Sequence, residues 1–239
     1  MRDNSGKTPI WKAIANALRS DLAEGRYIPG DKLPTEAALA DRFGVNRHTV
    51  RHGISVLVEE GLVRTRRGAG AFVAAASTDY PIGSRVRFHE NLIAVGRRPE
   101  KRVLTLDERA ATVGEAQALQ IKAGDQVCAY HGLSLADGQP IAVFESLFPL
   151  VRLSGMTAAL KETSSVTEAL NAVGIADYTR VSTRLTAVRA TATQALLLHV
   201  AEGDPLLRSS GVNQSERGEP VEYGRTWFVG DRMTLTIET

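Results

Sequence analysis

The sequence predicts an α+β protein in two parts: three short helices closed by a basic hairpin, then a larger antiparallel sheet with helices between its hairpins. Three observations carry this. Apolar residues recur at helical spacing through residues 10–58, hairpin signals recur beyond residue 125, and the charge changes sign between the two parts. Residues 1–75 hold 12 Lys/Arg against 8 Asp/Glu, and the rest hold 17 against 19, so the net charge of +2 is the sum of +4 and −2. The chain has 239 residues, 43% of them hydrophobic and 23% charged, which suits one or two packed domains and excludes a mostly disordered chain.

Ile10, Ile14, Leu18 and Leu22 recur every four residues beside Trp11 and Ala15, one apolar stripe on a helix. Gly25 and Pro29-Gly30 end it. Thr35 is an N-cap for a short helix over 37–43 with Leu39, Ala40 and Phe43 inward, and Gly44 fits the left-handed position after it. Asn46 is the next N-cap. The helix over 47–60 turns Val50, Ile54, Leu57 and Val58 inward and Arg47, His48, Arg51, His52 and Ser55 outward, and Gly61 stops it. Leu62–Arg64 and Ala71–Val73 read as strands around the basic tip Thr65-Arg66-Arg67-Gly68-Ala69-Gly70. This order is a winged helix-turn-helix over residues 1–74. Residues 75–84 read as a linker.

The second part, 85–239, is an α+β domain on an antiparallel sheet. Val127–Leu135 and Ile141–Phe148 flank Asp137-Gly138, and Leu206–Gln214 and Pro220–Val229 flank Glu216-Arg217-Gly218. Val181, Thr183, Leu185 and Ala187 alternate as on a half-buried strand, and Met233–Ile237 is a last one. Helices are expected near 112–120, 156–173 and 191–199.

The outer face of the 47–60 helix has what a DNA-reading helix needs. The major groove admits an α-helix whose N-terminal residues reach base edges. Arg47 and Arg51, four apart, project from one side, and an arginine grips guanine through two hydrogen bonds. Asn46, His48 and Thr49 sit where the helix dipole favours phosphate. Arg66, Arg67 and Gly68 at the wing tip can follow the backbone or enter the minor groove. The alternative for such a face is plain solvation, but the turn before it and the wing after it fit DNA.

Leu33-Pro34-Thr35-Glu36, Leu39-Ala40, Phe43-Gly44-Val45-Asn46-Arg47-His48-Thr49-Val50-Arg51, Leu57…Glu60-Gly61 and Gly68-Ala69-Gly70-Ala71-Phe72-Val73 resemble the GntR superfamily of bacterial transcription regulators over about residues 9–73. The resemblance implies contacts to bases or phosphates from Arg47, His48, Thr49 and Arg51, and a wing contact at Gly68. One departure is Ala37, where the family often has an arginine that contacts DNA, so a different operator is expected. Asp137-Gly138-Gln139-Pro140-Ile141-Ala142, Pro205-Leu206-Leu207, Gly218-Glu219-Pro220-Val221-Glu222-Tyr223 and Gly230-Asp231-Arg232 resemble the effector-sensing UTRA domain of the HutC subfamily, related in fold to chorismate lyase. Asn46-Arg47-His48-Thr49, Asp79-Tyr80-Pro81 and Arg180…Ser182-Thr183-Arg184 are most similar to regulators of phosphonate utilisation.

The resemblance implies a pocket for a small anion. Two arginines that hold phosphate in sugar-phosphate-sensing members are matched by Gly132 and Ser134, and the usual glutamate after the hairpin proline by Phe144, with Glu145 one place off and facing the other way. Matches remain at Phe88 and His89, whose backbone N–H groups would cradle the anion, at Ser165 and at Glu222; Thr167 stands where tyrosine is common. Arg87, Arg184 and Arg225 could replace the lost positive charge. Each arginine also reads as a surface ion-pair partner, and Ser165 as a helix N-cap.

The expected partners are pseudo-palindromic double-stranded operator DNA, a small effector and a second copy of the chain, since two reading helices must reach half-sites one DNA turn apart. The alternative is a second domain that only dimerises, or that senses a metabolite without phosphate. No catalytic site, cofactor or metal is expected: His89, His131 and His199 lack ligand spacing, and Gly68-Ala69-Gly70 lacks the context of a dinucleotide loop. The lone Cys128, in an apolar run, reads as core. A polar Met1–Lys7 and the lack of any long apolar run lead to the expectation of a cytoplasmic protein without a membrane span.

Overall fold

The computed structural model describes residues 9–66, 68–74, 77–83 and 88–237. Its contacts divide the chain into two compact units between residues 76 and 77.

In the first unit, α1 (Ile10–Ala23), α2 (Glu36–Phe43) and α3 (Arg47–Glu59) precede the antiparallel hairpin of β1 (Val63–Arg66) and β2 (Gly70–Val73). The caps are the expected ones. Thr35 accepts from the Ala38 N–H, Asn46 accepts from the Thr49 N–H, and Gly44 ends α2 with φ 63°. Ile14, Leu18, Leu39, Val50, Ile54 and Leu57 form the core. Gly53 on α3 lets α1 approach closely: a Cβ there would lie 3.0 Å from Ile14 and 3.2 Å from the Trp11 carbonyl. Buried Asp21 joins the pieces, accepting from Arg26 and Arg42 at 2.6 Å each, and the Arg42 hydrogen bond first of all holds its carboxyl below the usual range.

The second unit carries β3 (Thr78–Pro81), α4 (Phe88–Ala94), β4 (Pro99–Ala110), α5 (Val113–Leu119), β5 (Gln126–Ala136), β6 (Gln139–Pro149), α6 (Met156–Glu162), α7 (Val166–Ala172), β7 (Tyr178–Arg189), α8 (Ala192–Leu198), β8 (Pro205–Ser215), β9 (Pro220–Val229) and β10 (Met233–Thr236). Six strands form an antiparallel sheet in the order β4-β5-β6-β9-β8-β7. Strand alternation sorts its two faces. Cys128, Tyr130 and Phe148 pack with α6 and α7 on one face; Val127, Ala129 and Leu147 pack with α5, and Leu133 with α8, on the other. Arg232 of the Gly-Asp-Arg run is a buried clamp, donating to the carbonyls of Pro140 (2.5 Å), Leu198 (2.7 Å) and His199 (3.1 Å).

Four features differ from the sequence expectation. Within the stretch read as linker, Thr78–Pro81 form β3, paired in parallel with β10. The helix expected over 156–173 is two helices, because Thr163-Ser164-Ser165 interrupts it and the Ser165 hydroxyl caps α7 by accepting from the Glu168 N–H at 3.3 Å. The helix α4 and the strand β4 have no counterpart in the sequence reading.

Candidate functional site

The first unit presents a groove of about 720 Å³ between α3 and the hairpin, lined by Thr35, Glu36, Arg47, Arg51, Arg66 and Gly68 among others. Arg47, His48 and Arg51 are exposed at the start of α3. Arg51 already has an anionic partner: it donates from Nε (2.8 Å) and Nη2 (2.6 Å) to the two Glu36 oxygens. This hydrogen-bonded pair raises the Arg51 pKa and holds the Glu36 carboxyl below its usual range. Asn46 Oδ1 is occupied by the Thr49 N–H (2.9 Å) and hydroxyl (3.0 Å), so both residues cap the helix. His52 stacks on Trp11 with ring centroids 4.3 Å apart. At the wing, Arg66 lies 4.8 Å from the Phe72 ring, and Gly68 takes φ 76°, which favours glycine. Arg67 lies outside the described residues.

The second unit encloses a cavity of about 100 Å³ on the α7 side of the sheet. All six strands supply its polar lining: Lys101 from β4, Ser134 from β5, Ser146 from β6, Glu222 and Thr226 from β9, Ser209 from β8, and Arg180 at the start of β7. Tyr80, Phe88, Phe144 and Phe228 supply aromatic walls. Glu222 is buried and accepts from the Ser146 hydroxyl at 2.6 Å and from Asn213 Nδ2 at 2.5 Å; Asn213 Oδ1 in turn accepts from Arg180 Nε at 2.6 Å. Lys101 Nζ lies 5.3 Å from the Phe144 ring and 6.0 Å from Phe88. Burial pulls its pKa down, opposed by the charge of Glu222.

Three glycines shape the cavity floor. A Cβ on Gly211 would lie 2.3 Å from the Ser182 carbonyl and 2.5 Å from Arg180 Nη1, so only glycine lets the Arg180 side chain cross β8. Gly224, paired with Gly211 in register, leaves open a point 3.5 Å from Glu222 Oε1 and 3.9 Å from Arg180 Nη2. A Cβ on Gly132 would meet its register partner Phe144 at 2.6 Å. The Phe144 ring therefore fills the space into which a longer residue 132 would grow, and the two departures noted in the sequence are one change.

The structure places the expected effector residues unequally. Phe88 and Glu222 line the cavity. Ser165 and Thr167 line an outer hollow of about 460 Å³ that shares Phe88, Lys101 and Val166 with it. Ser165 there is the α7 cap, and the Thr167 hydroxyl lies 2.8 Å from that of Tyr178. Arg225 faces away: it pairs with Glu145 and, at 3.2 Å, with Glu115, because alternation sends odd residues of β9 to the other face. Arg184 is exposed and aligned with Ser210, the partner of Arg225, so it too points away. Arg87 and the side chain of His89 lie outside the described residues. Lys101 and Arg180 were not expected; glycines inside long strands, at 132, 211 and 224, were the signal for a close approach.

The sequence pattern of the bacterial regulatory proteins of the gntR family matches residues 11–73, and that of the UTRA domain matches residues 94–234. The chain is 37% identical to the HTH-type transcriptional regulator RB1450 of Rhizobium meliloti (strain 1021), over 96% of this chain and 95% of that one. It is 33% identical to the probable transcriptional regulator PhnF of Escherichia coli (strain K12), over 95% and 94%, and 28% identical to the mannosyl-D-glycerate transport/metabolism system repressor MngR of the same organism, over 97% and 96%. Among solved structures, PhnF from Mycobacterium smegmatis superposes with a TM-score of 0.64 at 25% identity, covering 95% of this chain and 98% of that one. These families and relatives are transcription regulators, not enzymes, and no described helix is long and apolar enough to cross a membrane. A winged helix-turn-helix joined to an antiparallel effector-type domain, matched along nearly the whole chain, makes this protein a DNA-binding transcription regulator of the GntR family, HutC type.

Proposed function

We propose that the protein is a homodimeric repressor that leaves its operator when a small anion enters the cavity of the second unit. The observation that carries the effector half is a cavity holding two cations, Lys101 and Arg180, with no carboxylate in ion-pair contact among the described residues. Both are half-buried, and a cation drawn partly out of water is held more favourably when a ligand supplies a counter-ion. Arginine and lysine with convergent hydroxyls suit phosphate, phosphonate or carboxylate. The similarity to regulators of phosphonate utilisation makes phosphonates the first compounds to test.

The route to the DNA-binding unit is short in sequence. Tyr80 and Ile82, which line the cavity, lie immediately after the boundary between the units. An effector packed against them acts on the chain that leads to the reading helix. Two copies are needed because one α3 reads one half-site, and half-sites lie about 34 Å apart.

Three measurements test the proposal. Arg47→Ala and Arg51→Ala should each weaken operator binding by about 1–3 kcal/mol and relax base preference, in a gel-shift titration against operator and scrambled DNA. Unchanged affinity in both would remove α3 from the interface. A footprint without two-fold symmetry would exclude the dimer. In thermal unfolding, small phosphonates or phosphate esters should raise Tm in a concentration-dependent way; a second unit that only dimerises would show no shift with any small anion.

A further inference from the structure

The cavity is not simply basic. Glu222 sits in it beside Lys101 and Arg180, buried, with each oxygen accepting one neutral hydrogen bond. A carboxylate oxygen has two acceptor sites, so each keeps one. Asn213 stands between Arg180 and Glu222, donating to one and accepting from the other. It fixes a cation and an anion side by side without letting them close into a direct pair. A Cβ added to Gly224 would lie 3.5 Å from Glu222 Oε1 and 3.9 Å from Arg180 Nη2, so both ends flank the same glycine of the cavity wall.

A ligand that were only an anion would set its own negative charge beside Glu222 and leave the remaining acceptor sites of that carboxylate without a donor. A ligand with both signs would answer all three groups. Lys101 and Arg180 against Glu222 leave one net positive charge, which a doubly charged acid with one ammonium would balance while also giving Glu222 a donor. The volume of about 100 Å³ admits on the order of seven heavy atoms, at the ~15 Å³ that one water needs.

We propose that the cavity is built for a short zwitterion, its acid group held by Lys101 and Arg180 and its ammonium by Glu222. The proposal rests on the anion-sensing reading above and narrows it. The acid group is a phosphonate or a carboxylate, since the same cations suit both. Ser134 and Thr226 are the hydroxyls placed to complete its shell.

The test is titration calorimetry on the full chain with two matched pairs, 2-aminoethylphosphonate against ethylphosphonate and 3-aminopropanoate against propanoate. In the favoured pair the amino compound should bind at least tenfold more tightly than its amine-free counterpart, and the favoured pair identifies the acid. In Glu222→Gln that preference should shrink below twofold while the amine-free acid binds as well as before or better. Lys101→Met and Arg180→Met should weaken both members of the pair. Equal binding within each pair by the unmodified protein, or a preference that survives in Glu222→Gln, would overturn the zwitterion and leave the anion-sensing reading standing. No binding by any of the four would overturn both. The comparison between probes on the unmodified chain does not depend on any variant folding.

Discussion

Gly132 shows how one residue sets what the cavity can hold. Its missing side chain is occupied by the Phe144 ring on one side and met by the Arg102 carbonyl at 2.7 Å on the other. Arg102 lies beside the bulge between Val103 and Thr105. Gly132→Ala should therefore cost about 1–3 kcal/mol in urea unfolding, the usual range for overpacking. Adding Phe144→Leu should restore only part of it, because the carbonyl contact remains; full recovery would place all the crowding in the ring. Gly224 behaves differently. A Cβ there would make ordinary contacts of 3.5 Å and beyond, so Gly224→Ala should fold as well as the parent and weaken effector binding by occupying the floor between Arg180 and Glu222. Calorimetry beside a melting curve separates the two effects. On the DNA side, Arg51 faces the groove with Glu36 attached, so any base or phosphate it is proposed to contact must compete with a carboxylate 2.6 Å away.

At the scale of elements, the first unit was legible almost to the residue because its signals are local. Apolar spacing, Thr35, Asn46 and Gly44 act within one turn of where they stand. The hairpin at Asp137-Gly138 was legible for the same reason: both residues take positive φ, 51° and 78°. The strand β4 was not. Pro99–Ala110 is an edge strand of largely exposed residues, rich in charge, and shows no alternation to read. The arginines of β7 and β9 were misplaced for a different reason. Facing depends on register, and the bulge between Arg180 and Ser182 resets it, turning Arg180 to the cavity and Arg184 away. Arg225 went instead to a buried cluster on the opposite face, where Glu115 of α5 accepts from Arg109 at 2.7 and 2.9 Å. The Arg109 hydrogen bond first, then the Thr112 cap, hold the Glu115 carboxyl down at about 2. A carboxyl lowered in the folded state stabilises above its unfolded pKa of 4.5, and the gain is lost as pH falls toward 2. Glu115→Gln should thus cost about 2–3 kcal/mol at pH 7, and the gap between variant and parent should close on acidification from pH 5 to pH 2. A gap independent of pH would show that packing, not charge, ties α5 to the sheet.

At the scale of the molecule, an effector that releases DNA, as proposed, has to act from the second unit on the first. The net charge of +2 gives no hint, since it averages a basic reading unit and a slightly acidic sensing unit. Operator binding through the first unit's arginines should fall steeply with salt, while effector binding in a cavity walled by the sheet should respond less. On the proposed reading, the connection between the activities runs through β3, which follows the boundary in sequence. Its Tyr80 packs against Phe228, 5.7 Å between ring centroids, and against Phe88, at 6.4 Å, and all three line the cavity. β3 pairs with one strand, β10, and is tied further by Arg97, which donates to the Thr78 hydroxyl at 2.6 Å, and by Asn91 of α4, which donates to the Pro81 carbonyl at 3.2 Å. A ligand that shifts these rings acts on β3 through the buried Tyr80. Coupling of this kind is typically 1–3 kcal/mol, a change of about 5- to 150-fold in operator affinity. Linkage makes it reciprocal: saturating operator DNA must weaken effector binding by the same factor that saturating effector weakens the operator. Calorimetry of effector with and without operator, set against gel shifts with and without effector, measures both sides. Tyr80→Leu should keep both single affinities within a few-fold and shrink the shared factor toward one. A factor unchanged in that variant would send the coupling through another part of the second unit.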